Sequence, residues 1–122
     1  MGDESYNEKN YIEKITIDPF LSQVRLCDRR VKFTHKEYSL FYFLISNPNK
    51  VITRSEILDQ VWGDDFKGSP RVIDTYIKLI RMKIDNDRCM IKTVSKIGYK
   101  FEQCRWMEIE IIKVIAEIST DN

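Results

Sequence analysis

Laid on a helix at about 100° per residue, the side chains from Arg71 to Ile84 sort into two stripes. Ile73, Tyr76, Ile77, Ile80 and Ile84 form an apolar stripe that reads as core. The opposite stripe carries Arg71, Thr75, Lys78 and Met82, with Leu79 beside it and Asp74 and Arg81 on one flank. A solvated helix face ordinarily mixes glutamate with lysine. This stripe has guanidinium, ammonium and hydroxyl donors, no acid, and two apolar side chains, Leu79 and Met82. Such a set does non-covalent chemistry. Cations neutralise phosphates, while short donors and apolar groups meet base edges in a groove wide enough for one helix.

The surrounding charge agrees. Residues 70–100 hold eight cations (Arg71, Lys78, Arg81, Lys83, Arg88, Lys92, Lys96, Lys100) against Asp74, Asp85 and Asp87, although the whole chain has a formal net charge of only +1. A polyanion partner needs local rather than total charge. The plain alternative is a solvated charged face. Covalent catalysis finds no footing. Ser55, Cys89 and His35 are scattered, and no nucleophile–base pair or glycine-rich phosphate loop stands out. No catalytic residue and no cofactor is expected, so an enzyme is not expected. With a single histidine and three cysteines lacking ligand spacing, no metal site is expected either. Cys27, Cys89 and Cys104 read as free, reduced thiols.

The elements that must position this stripe carry their own start and stop signals. Thr34-His-Lys-Glu37 and Thr53-Arg-Ser-Glu56 are capping boxes, in which the threonine hydroxyl and the glutamate carboxylate satisfy each other's backbone amides. The first opens an almost wholly apolar helix that Pro48 stops. The second opens a short helix bearing Ile57, Leu58, Val61 and Trp62, closed by Gly63. Ser69-Pro70 reads as an N-cap followed by proline at the first turn of the basic helix, expected over 70–85. Short strands are expected at 12–17, 23–27 and 31–33, forming a small antiparallel sheet. A hairpin is expected at 91–101, its tip at 95–98 and its charge from Lys92, Lys96 and Lys100.

The 122 residues and 43% hydrophobic content suit one folded domain. No run approaches the ~18 apolar residues of a membrane span, and residues 1–10 lack a signal-peptide core. A cytoplasmic protein with no membrane partner is expected, organised as a flexible leader (1–10), a domain (11–102) and a C-terminal extension (103–122). The fold class is α+β: a winged helix-turn-helix with an N-terminal antiparallel sheet, three helices, a C-terminal hairpin wing and an extra amphipathic segment.

Three segments also match a known family in order and spacing. Val51-Ile-Thr-Arg-Ser-Glu-Ile-Leu-Asp-Gln-Val-Trp-Gly63, the helix Arg71 to Ile84, and Ile91-Lys-Thr-Val-Ser-Lys-Ile-Gly-Tyr-Lys-Phe101 resemble OmpR/PhoB-type response-regulator effector domains. The likeness covers about residues 12 to 102. It implies a transcription regulator that binds direct-repeat DNA as a homodimer, ordinarily behind a receiver domain in a two-component system. Arg71 and Arg81 then fall at phosphate-contacting positions, and Thr75, Lys78, Leu79 and Met82 face the groove. For Arg71 the alternative is an ion pair with Asp74, and for Tyr76 packing competes with phosphate contact. On the wing the corresponding set is Lys92, Thr93, Ser95, Lys96 and Tyr99. The loop Gly63, Asp64, Asp65, Phe66, Lys67 and Gly68 falls where the family often touches RNA polymerase.

Two departures stand out. Leu79 and Ser95 occupy positions where the family commonly has arginine, which removes guanine-reading groups and favours an A·T-leaning site. A winged helix acting mainly through protein contacts, with weak DNA binding, is the competing reading. A cytoplasmic domain of a membrane-anchored regulator is a third. Beyond Phe101 the resemblance gives no guidance. Met107, Ile111, Val114, Ile115 and Ile118 share a helical face, yet the alternation from Met107 to Ile111 suits a strand as well. The helical reading is favoured. Docking on the domain's own surface and a dimer contact are the two uses of that segment.

Overall fold

Thr34 caps helix α1 (His35–Ile45): its side chain accepts the Glu37 amide, and Glu37 Oε1 accepts the Thr34 amide at 2.8 Å. The same reciprocal pair, Thr53 with Glu56, opens α2 (Arg54–Ile57). That helix widens into a π-helical turn over Leu58–Trp62 and stops at Gly63, whose φ of 91° suits glycine. Helix α3 spans Arg71–Ile84, and Ser69 Oγ accepts the Arg71 amide at 3.1 Å. Pro70 stands just before the first helical residue rather than within the first turn. The computed structural model describes residues 12–113. The expected leader at 1–10 and the tail positions Val114, Ile115 and Ile118 lie outside the described residues.

Strands β1 (Glu13–Asp18), β2 (Gln23–Leu26) and β3 (Arg29–Val31) form the expected antiparallel meander. The third strand starts at Arg29 and ends at Val31 instead of spanning 31–33, because the tight turn at Cys27 and Asp28 pairs Arg29 directly with Leu26. Asp18 closes the first turn by accepting the amides of Phe20 and Leu21 at 2.9 and 3.1 Å. A second sheet, ordered β4-β6-β5, joins the short strand β4 (Ile52–Thr53) to the hairpin β5 (Ile91–Val94) and β6 (Gly98–Phe101). Between the sheets lies one core: Ile15, Ile17 and Val24, then Leu40, Phe41 and Leu44 of α1, the isoleucines of α3, and Ile91 and Phe101. Glu37, buried on α1, is neutralised by Lys83 of α3 at 2.6 Å. This pair ties the central helix to the basic one.

Two expectations are corrected here. Over Met107–Ile111 the extension is not helical; it forms strand β7, paired parallel with β1 from Glu13↔Met107 to Ile17↔Ile111. The Ile–Glu alternation at period two fits a half-buried edge, and β1 offers an unpaired row of backbone groups that a helix leaves unsatisfied. Within the described residues the extension therefore docks on its own domain, giving the sheet order β3-β2-β1-β7. Cys89 and Cys104 are not free thiols: they form a disulfide, with Cα atoms 5.8 Å apart. One precedes β5 and the other follows β6, so pairing of these strands brings the two sulfurs together. Cys27 remains free and exposed.

Candidate nucleic-acid interface

Burial of Ile73, Ile77, Ile80 and Ile84 turns the opposite stripe of α3 outward. Arg71, Thr75 and Lys78 are exposed, Met82 is 64% exposed, and Leu79 is half-buried beside them. Arg71 acts on Asp74 only through its charge, and the direct partners of Asp74 are others. Its Oδ1 accepts Arg54 Nε at 2.9 Å and the hydroxyl of Tyr99. Desolvation pushes the Asp74 carboxyl up, but the hydrogen bonds from Tyr99 and Arg54 outweigh it, and its pKa lies below the usual value. The Arg54 guanidinium also sits 5.3 Å from the Tyr99 ring centroid. Asp74 thus joins α2, α3 and the wing at one carboxylate.

Arg81 makes the second link between α3 and the wing. Its Nη2 donates to the Ile91 carbonyl at 2.6 Å and to Thr93 Oγ1 at 2.9 Å, and its guanidinium lies 5.7 Å from the Tyr99 ring. Desolvation lowers its pKa. The structure uses Arg81 inside the domain, where the sequence pointed to phosphate contact. Tyr99 is 4% exposed with its hydroxyl engaged by Asp74, so it is not on the accessible face. Tyr76 packs edge-on against Trp62, with centroids 5.2 Å apart, which favours the packing role.

The wing itself presents Thr93, Ser95 and Lys96 to solvent, with Lys92 half-buried. Lys96 sits at φ 66° at the tip, next to Ile97, which is 50% exposed. Gly98 is required by packing. A Cβ there would stand 2.0 Å from the Ile52 carbonyl oxygen, because β6 runs against β4. At the base of the hairpin, buried Asp85 accepts the amides of Met90 at 2.9 Å and Ile91 at 2.8 Å. Desolvation raises its pKa against the opposing pull of those amides. In the loop before α3, Asp64, Asp65, Lys67 and Gly68 are exposed, Gly63 is half-buried, and Phe66 leans on Trp62 with centroids 6.2 Å apart.

The structure thus brings together Arg71, Thr75, Lys78, Leu79 and Met82 on α3, with Lys92, Thr93, Ser95 and Lys96 on the adjoining wing. Arg81 and Tyr99 are engaged within the domain, and half-buried Tyr76 packs on Trp62. Sequence reasoning missed Arg54, Asp85 and Gly98 as positioning residues. A signal existed for Asp85: an aspartate closing a helix just before a strand. Among the described residues no group of side chains could hold a metal ion, and no helix is long and apolar enough to cross a membrane.

A short capped helix, a turn, a basic helix with an exposed stripe and a hairpin locked to it make a winged helix-turn-helix. Residues 28–101 match the family described as "Transcriptional regulatory protein, C terminal", and the chain belongs to that family, whose OmpR/PhoB type it resembles. The response regulator MprA of Mycobacterium tuberculosis is 39% identical over 87 residues, covering 70% of this chain and 38% of the relative. The chain therefore spans less than half of that relative's length. The DNA-binding domain of Bacillus subtilis CssR superposes with a TM-score of 0.64 at 26% identity, covering 71% of this chain and 98% of that one. The Klebsiella pneumoniae RstA DNA-binding domain, solved with the RstA box, gives a TM-score of 0.62 at 28% identity over 70% of this chain and 88% of that one. The OmpR/PhoB resemblance read from three segments is borne out, as is the winged-helix fold.

Proposed function

We propose that the domain inserts α3 into the major groove of double-stranded DNA and lays its wing on the adjacent backbone or minor groove. The observation that carries this reading is the exposed stripe Arg71–Thr75–Lys78–Met82, free of acids and fixed to a basic hairpin through Arg81 and Asp74. Arg71 contacts phosphate. Lys78 reaches phosphate or a base edge, and the Thr75 methyl, Leu79 and Met82 meet thymine methyls. Lys92, Ser95 and Lys96 contact the flanking backbone. With no arginine on the reading face between Arg71 and Arg81, the preferred site leans towards A·T pairs.

This domain serves as the output half of a two-component regulator that carries a receiver domain and binds direct repeats as a homodimer. The loop from Gly63 to Pro70 supplies the RNA-polymerase contact, through exposed Asp64, Asp65 and Lys67. The protein works in the cytoplasm, where its DNA is.

Salt-titrated binding to a duplex selected from a random pool tests the reading. Each phosphate neutralised contributes about 0.9 to the slope of log affinity against log salt. A steep slope is expected, shallower by about one in Lys78→Ala. A flat slope would assign the domain to protein contacts instead. Base substitution then tests the A·T preference, and a strict requirement for one G·C pair opposite Leu79 would overturn it.

A further inference from the structure

The recognition stripe does not end in neutral surface. Beyond the C-terminal end of α3 lies the β2–β3 hairpin, where Arg25, Arg29, Arg30 and Lys32 are all exposed and Asp28 is the only acid. Register places Arg25 directly across from Arg30. Like charges facing each other across a strand pair repel and are destabilising. Among the described residues no carboxylate forms an ion pair with either guanidinium, nor with Arg29 or Lys32. In the next row Thr16 stands opposite Arg25, and Glu110 beyond it is already engaged by Lys14 at 2.7 Å. The acid is thus two strands away from Arg25, about 10 Å at ordinary strand spacing.

The hairpin is fixed to α3. Lys83 Nζ donates to the Lys32 carbonyl at 2.9 Å while it neutralises Glu37. Leu26 and Lys83 line one cleft with Arg29 and Arg30, and a neighbouring cleft with Met82, the last residue of the exposed stripe. Met82 is therefore joined to the cationic hairpin through Leu26 and Lys83, along a cleft that Glu13 and Asp87 also line. From Arg71 to Met82 the stripe runs roughly 16 Å at the helical rise. A major groove is about 12 Å wide and edged by phosphates on both sides, so a cationic hairpin beside the end of α3 has phosphates in its neighbourhood.

We infer that the β2–β3 hairpin is a second phosphate-contacting surface, with Arg25, Arg29 and Arg30 gripping the DNA backbone beyond the C-terminal end of α3. This rests on the major-groove reading above. The phosphates relieve the Arg25–Arg30 repulsion and carry no sequence information, so the hairpin sets affinity and register rather than base preference.

The test uses the full chain and a ~30-base-pair duplex selected with it, long enough to extend past the groove that α3 occupies. Salt slopes are compared for the wild type, for Arg25→Gln/Arg29→Gln/Arg30→Gln, and for the same three changed to lysine. The glutamine variant should lose about two to three from the slope and at least tenfold in affinity near physiological salt. Its base preferences should be unchanged, and the lysine variant should recover most of the loss. Wild-type binding with a steep slope that the glutamine variant keeps would overturn the hairpin contact alone. Absence of salt-dependent binding by the wild type would overturn the major-groove reading and the hairpin with it. An unchanged DNA slope joined to lost binding of poly-glutamate would assign the hairpin to an acidic protein and overturn the proposal. Circular dichroism melts confirm that the variants fold.

Discussion

The hydroxyl of Tyr99, in the second strand of the wing, donates to Oδ1 of Asp74, in the first turn of α3. Helix and wing are therefore tied by this hydrogen bond, by that from Arg81 of α3 to the Ile91 carbonyl of β5, and by Arg54 on the same carboxylate. Tyr99→Phe removes the hydrogen bond and keeps the ring. Stability should fall by about 1 kcal/mol in urea unfolding, because the carboxylate is partly solvated. DNA affinity should weaken without a change in base preference.

Asp74 also imposes a pH dependence. Its folded pKa lies below the unfolded value despite desolvation, because Tyr99 and Arg54 donate to it. Its contribution is therefore present above the unfolded value near pH 4 and is lost as pH falls below that. Asp74→Asn should flatten the acid limb of the stability profile. Denaturant midpoints taken between pH 3 and 6 would check this, and an unchanged limb would count against it.

Tyr38 predicts the opposite limb. It is 5% exposed, and its hydroxyl has no hydrogen-bond partner among the described residues. Desolvation, with the charges of Tyr42 and Asp18 adding, pushes its pKa up to about 12. The neutral phenol is the form that the fold favours. Its stability is complete below about pH 10 and is lost as pH rises towards about 12. Tyr38→Phe should leave neutral-pH stability unchanged or raise it by up to about 1 kcal/mol. It should also move the alkaline unfolding midpoint upward in a fluorescence titration.

The Cys89–Cys104 bond closes a loop whose ends are 15 residues apart and which contains the whole wing. Cross-linking a loop of that length contributes about 3 kcal/mol in the chain-entropy view. Cys89→Ser/Cys104→Ser, or reduction of the wild type, should lower the melting temperature by about 10 °C or more, whereas Cys27→Ser should leave it unchanged. Equal melting of the oxidised and reduced protein would contradict this.

Gly98→Ala forces a Cβ into the backbone of β4, which cannot yield as a flexible side chain would. The variant should lose at least about 2 kcal/mol, with the wing rather than α1 showing the faster amide exchange.

Local signals made much of this fold readable. The threonine–glutamate boxes, Gly63 and Pro48 mark helix ends through bonds made within four residues, and the α3 stripes follow from one helical period. What escaped depends on distant partners. Met107 to Ile111 satisfies both periods, and only the free edge of β1 decides between them. Tyr99 and Arg81 have side chains suited to DNA, and nothing local shows that Asp74 and the Ile91 carbonyl hold them inside. The disulfide was hidden by an odd cysteine count, although its flanking of the hairpin was in view. The exposure of Arg71, Thr75, Lys78 and Met82 is legible because an isoleucine core stripe leaves its opposite face to solvent.

The parallel pairing of β1 with β7 joins segments separated by about ninety residues. A ribosome makes β1 first among the strands and β7 last. Ile15 and Ile17 must therefore wait with a bare edge while the helices and wing are synthesised. Such long-range closure raises contact order and slows the final folding step. In that interval the uncovered strand is the segment most open to pairing with another nascent chain. Arrival of β7 completes the sheet and ends that exposure.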